Sequence, residues 1–139
     1  MRRIIAGLAG IGLVAGAGSV AYNHNGATVR IKGRNGQVQS VHIGLSGRQY
    51  SCPSGEHDKL SPLLIQAGRI KLTLNGVEAK LHRIVAKYRT RSRFAHAPRQ
   101  VRERFAAELT QRKRLASAFN AAGHRYNTLL HADCAPASG

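Results

Sequence analysis

The sequence predicts a mainly α-helical chain: a long antiparallel two-helix hairpin, coiled-coil-like and closed by a disulfide, with a small N-terminal β-hairpin. Three observations predict it. Two long apolar series recur at steps of three and four residues. A single pair of cysteines brackets them at matched distances from the turn between. Residues 27–51 carry the two-residue alternation of a strand. At 139 residues the chain has room for one domain.

Residues 1–21 read as a signal peptide. Arg2 and Arg3 give a positive start, Ile4 to Val20 is uncharged, and Ser19-Val20-Ala21 places small residues where a signal peptidase inspects the chain. The rival is an uncleaved membrane anchor, because the uncharged run from Ile4 to Asn25 is long enough to be considered as a span. Five glycines lower its hydrophobicity and helix propensity, which favours cleavage. Either way the remainder is expected outside the cytoplasm, secreted or in the cell envelope. Without the segment, 118 residues keep 20 basic and 6 acidic side chains, a net charge of +14.

Residues 22–51 are expected to form a β-ribbon. Val29 and Ile31 alternate with Arg30 and Lys32, Gly33-Arg34-Asn35-Gly36 is a turn signal, and Val41, Ile43 and Leu45 alternate again. A third short strand is expected near Arg48–Ser51. Such a ribbon is marginal alone and needs something to pack on.

Residues 52–134 hold the helical hairpin. Leu60, Leu63, Ala67, Ile70, Leu74, Val77, Leu81, Ile84 and Tyr88 all fit one heptad seam, and Ser61-Pro62 is a suitable helix start. The second series is Val101, Phe105, Glu108, Arg112, Leu115, Phe119, Ala122, Tyr126 and Leu129. Glu108 and Arg112 interrupt it at a spacing that lets them pair with each other. Phe94 to Pro98 is the natural turn. Residues 70–81 also read as a β-hairpin about Asn75-Gly76, a pair that is unfavourable in a helix by roughly 1–2 kcal/mol. The helix is preferred because the heptad continues on both sides.

The cysteines support that choice. Cys52 and Cys134 lie 43 and 39 positions from a turn at residue 95, so two helices of matched length bring them together. In an exported chain an even cysteine count points to a disulfide. The alternative is a zinc site of Cys52, His57, His131 and Cys134, with spacings only loosely finger-like. Residues 135–139 are expected to be a disordered tail.

Charge is concentrated about the turn. Twelve basic residues lie between Lys80 and Arg114, opposed by Glu103 and Glu108. Arg83, Lys87, Arg89, Arg91, Arg93, Arg99 and Arg102 are the candidate anion-binding residues, since guanidinium forks match phosphate and carboxylate oxygens. The expected partner is an anionic polymer or an anionic membrane surface, with nucleic acid as runner-up. Tyr88, Phe94 and Phe105 are nearby but do not read as a base-stacking platform. A second stripe, Ile65, Leu72, Ala79 and Ala86, is read as covered by the ribbon, the alternative being self-association. The sequence has no Gly-x-Ser-x-Gly elbow, no His-Glu-x-x-His and no obvious carboxylate pair. No enzyme activity and no cofactor are expected. The expectation is an exported binding or structural protein with a basic helical tip.

Overall fold

The structure, a computed structural model, describes residues 17–23, 26–33, 35–44, 50–53, 55 and 57–136. Strands β1 (Ala17–Asn23), β2 (Gly26–Lys32) and β3 (Val38–Gly44) form one antiparallel sheet with β2 in the middle. The two-residue alternation sorts the faces of β2. Ala27, Val29 and Ile31 are buried, while Arg30 and Lys32 are exposed. Val41 and Ile43 continue the buried face on β3. The link between β2 and β3 closes where the turn was expected, with Gly36 N–H donating to the Gly33 carbonyl at 3.1 Å.

Two details differ from the sequence reading. The third strand of the sheet is not residues 48–51 but β1, so the ribbon begins at Ala17 rather than at residue 22. The short strand expected near Ser51 exists as β4 (Tyr50–Ser51), but it pairs with β5 (Ala135–Pro136). The expected disordered tail therefore starts with a strand; residues 137–139 lie outside the described residues.

The remainder is helical: α1 (His57–Tyr88), α2 (Arg91–Ala95) and α3 (Arg99–Asp133). Helix α1 starts before the expected Ser61-Pro62 and carries Pro62 inside, where it has no N–H for the Asp58 carbonyl. Residues 70–81 are helical throughout, with Asn75 and Gly76 exposed. The long helices pack on each other. Lys71 Nζ stands 5.5 Å from the Phe119 ring centre, Lys80 Nζ faces Glu108 at 3.8 Å, and the Cys52–Cys134 disulfide joins the far ends.

Eight of the eighteen seam residues are buried in the core, and Leu63, Leu74, Phe105, Phe119 and Leu129 pack against it partly buried. Leu60, Ala67, Ile70, Val77, Leu81, Leu115, Ala122 and Tyr126 are buried. Leu64 and Leu130 are buried too, although neither belongs to the seam. Leu64 lies at the edge of a second packing face, beside Ile43 of β3 as well as Phe119 and Tyr126 of α3, because the sheet lies against α1. That face requires Gly68: a Cβ there would sit 2.6 Å from Val29 Cγ1 and 2.8 Å from Val29 Cβ. Glu108 points to Lys80 rather than pairing with Arg112, since its seam position aims it at α1, while Arg112 is exposed.

Two glycines of α1 therefore have opposite expected effects. A Cβ at Gly76 meets nothing within 4 Å, so Gly76→Ala is expected to stabilise by about 1 kcal/mol through helix propensity alone. Gly68→Ala makes the same propensity gain but drives a Cβ into Val29. Overpacking of this kind costs about 1–3 kcal/mol, and a net loss is expected. Denaturant midpoints of the two variants check the signs.

Tyr126 is buried beside the sheet, in a cleft of about 110 Å³ with Ile43, Leu64, Ala67 and Phe119. Burial pushes its phenol up from 10.0 to about 12, and Tyr22 adds to the shift. The fold thus favours the neutral phenol. That preference is fully present below pH 10 and is lost as pH rises toward 12. Wild type is expected to lose more stability across this window than Tyr126→Phe, measured by denaturant unfolding at each pH.

Candidate functional site

The basic residues lie at the end of α1, on the short α2 and at the start of α3. Arg83 and Lys87 sit on the last two turns of α1, Arg89 follows that helix, Arg91 and Arg93 lie on α2, and Arg99 and Arg102 open α3. All seven are exposed. The expected turn at Phe94–Pro98 is broader than read and holds a helix. Thr90 caps it, its hydroxyl accepting from the Arg93 N–H at 3.1 Å. His96 closes the other end, Nδ1 donating to the Ser92 carbonyl at 2.8 Å.

Local preference does not explain this charge layout. Arg99 and Arg102 stand in the first turn of α3, which has no acidic residue. Cations at a helix N-terminus are disfavoured by about 0.3–1 kcal/mol each. Glu103 relieves Arg99 at 2.8 Å, but both side chains are largely exposed and the pair is weak. Arg102 is tied down by donating to the Ala97 carbonyl at 3.2 Å. Arg89 adopts φ 58°, the left-handed region, which costs a non-glycine residue roughly 1–2 kcal/mol.

Two clefts flank the ridge of Ile84 and Tyr88. The first, about 420 Å³, is lined by Lys80, Arg83, Lys87, Arg104 and Glu108. Glu108 is mostly buried there, and its Oε2 has no hydrogen-bond partner among the described residues. The second, about 380 Å³, is apolar: Ile84, Val85, Phe94 and Phe105 line it, with Arg89 and Arg91 beside them. Val85 is 56% exposed. Phe94 packs on Phe105 at 4.9 Å between ring centres and edge-on to Tyr88 at 6.1 Å. Compared with known proteins, the chain matches no family model, no curated protein and no solved structure.

The sequence had identified the cations but not this apolar cleft. Tyr88 and Phe105 lie on the seam, and Phe94 reads as a turn residue. Only α2 brings Phe94 against both. Val85, an apolar residue off the seam in a basic stretch, was the available signal.

At the opposite end, Cys52 and Cys134 are joined, with a Cα–Cα distance of 4.4 Å. The bond consumes both thiolates that a zinc site would need, so the alternative set of Cys52, His57, His131 and Cys134 does not stand. The His57 side chain lies outside the described residues. His131 instead faces Tyr50 edge-on, with ring centres 5.3 Å apart. Of the second stripe, Ile65 lies under Gly18 of β1 and Leu72 packs against the core, while Ala79 and Ala86 are exposed.

Proposed function

We propose that the chain is an exported, non-enzymatic binding module. Its long helices act as an antiparallel coiled-coil-like hairpin, stapled at the open end, that presents its basic tip to an anionic membrane surface. One observation carries this choice of partner: the tip combines exposed arginines with an open apolar cleft. A lipid surface offers phosphates above acyl chains and engages both. A soluble anionic polymer engages only the cations, and Tyr88, Phe94 and Phe105 pack on one another rather than as a row of platforms for nucleic-acid bases. Arginine strained at the tip and cations set against a helix dipole also fit a surface kept for contact rather than for stability.

The expected result is sedimentation with phosphatidylglycerol vesicles and much weaker sedimentation with phosphatidylcholine, falling steeply with added salt. Each cation near an anionic leaflet is worth about 1 kcal/mol, so replacing Arg89, Arg91 and Arg93 together by glutamine should weaken binding about 100-fold. Phe94→Ala should weaken it too, while leaving the salt slope unchanged. Arg89→Gly should keep the fold, because relief of the left-handed strain offsets the entropy of glycine. Equal binding to DNA or polyphosphate at matched salt, with Phe94→Ala unaffected, would favour the polymer reading.

A further inference from the structure

We propose that the export segment is cut between Ala17 and Gly18, not after Ala21, so that strand β1 from Gly18 onward stays with the folded domain. This rests on the export reading above, and it concerns residues that the sequence alone assigned to the discarded segment.

Strand β1 is built into the fold along its whole length. It pairs with β2 from Ala17 opposite Lys32 to Asn23 opposite Gly26. Its inward positions are Gly18, Val20 and Tyr22. Gly18 approaches α1 so closely that a Cβ there would lie 2.6 Å from Ile65 Cγ2 and 3.1 Å from Ile31 Cδ1. Val20 packs against the core, and the Tyr22 hydroxyl is 3.2 Å from Ser61 Oγ. Outward lie Ala17, Ser19 and Ala21, all exposed.

A cut after Ala21 removes Gly18 and Val20. It leaves the edge of β2 unpaired from Thr28 to Lys32 and uncovers Ile65 and part of Ile31. Unpaired edges next to apolar side chains are a liability that folded proteins avoid. The sequence offers another site four residues upstream. Ala15-Gly16-Ala17 is itself small-x-small, of the form alanine-x-alanine. The apolar stretch left before it, Ile4 to Val14, has 11 residues, within the ordinary range of about 7–15 for a signal core. The cut after Ala17 keeps all three inward positions of β1. In it, a signal peptidase adds water across one amide: Ala17 leaves with the hydroxyl oxygen as a carboxylate, and Gly18 becomes the new ammonium terminus.

The test uses the full chain with a C-terminal tag in an exporting bacterium. Intact mass and N-terminal sequencing of the extracytoplasmic product are expected to give a start at Gly18. A start at Tyr22, or at Met1 in that fraction, overturns the proposal. Full-length chain retained in the cytoplasm with free thiols overturns the export reading itself and is distinguishable from both. Ala17→Leu is expected to abolish the Gly18 product and accumulate precursor, whereas Ala21→Leu is processed like wild type. Both side chains are exposed, so neither change loads the core. The reverse pattern places the cut after Ala21.

Discussion

Replacing Cys52 and Cys134 together by alanine is expected to destabilise the fold by about 4.5 kcal/mol in the chain-entropy account of cross-links. The size follows from the 82-residue separation of the bonded pair, which spans α1, α2 and α3. Whole domains are stable by only about 5–15 kcal/mol, so this loss approaches the whole stability of a small one. The staple also sits where other ties are slight. Strands β4 and β5, two residues each, flank it, and the Tyr50 hydroxyl reaches His131 Nδ1 at 3.4 Å. Without the bond, amide exchange is expected to accelerate first near Leu130 and Cys134. Denaturant unfolding of oxidised wild type against the double variant measures the loss. A difference under about 1 kcal/mol would mean that packing alone holds the ends. A chelator should change neither protein, because the wild-type cysteine sulfurs are bonded to each other and the double variant has none.

The second large effect is at Leu115. Its side chain is completely buried near the middle of α3, against α1. Leu115→Ala removes buried methyl groups and leaves a cavity between two long helices that relax poorly about a point. The expected cost is about 3–4 kcal/mol, or roughly 10–15 °C of melting temperature. Arg112→Leu makes the contrast. A strict heptad seam places Arg112 at a core slot, and leucine there should then stabilise. The side chain is exposed instead, so the expected change is within about 0.5 kcal/mol. A gain of 2 kcal/mol or more at Arg112→Leu would show that this stretch packs as a regular coiled coil.

Both results separate what a one-dimensional pattern can carry from what it cannot. The helices were legible because apolar residues from Leu60 to Tyr88 and from Val101 to Leu129 keep a single period over many turns. That length outweighs the local turn signal of Asn75-Gly76, and both residues are indeed exposed within α1. The strands β2 and β3 were legible for the same reason at a period of two. Strand β1 was not. Its residues Ala17 to Ala21 show no two-residue alternation of large apolar side chains and read in sequence as the end of an export segment, and the tight approach of Gly18 to Ile65 leaves no pattern in sequence. Leu64 escaped the seam because it sits beside Ile43 of the sheet as well as Phe119 and Tyr126 of α3.

The sequence by itself determined the helical class, the site of the β2–β3 turn, the pairing of Cys52 with Cys134 and the concentration of charge between Lys80 and Arg114. Each follows from periodicity, composition or count, which are properties of a line. The tertiary structure alone decided that β1 belongs to the sheet, that α1 packs on two faces, that Glu108 meets Lys80, and that an apolar cleft opens among the tip arginines. These depend on distances between residues far apart in the chain. They are set by how side-chain volumes fill space, and Gly68 against Val29 is the plainest case: one absent Cβ lets the sheet lie against the helix.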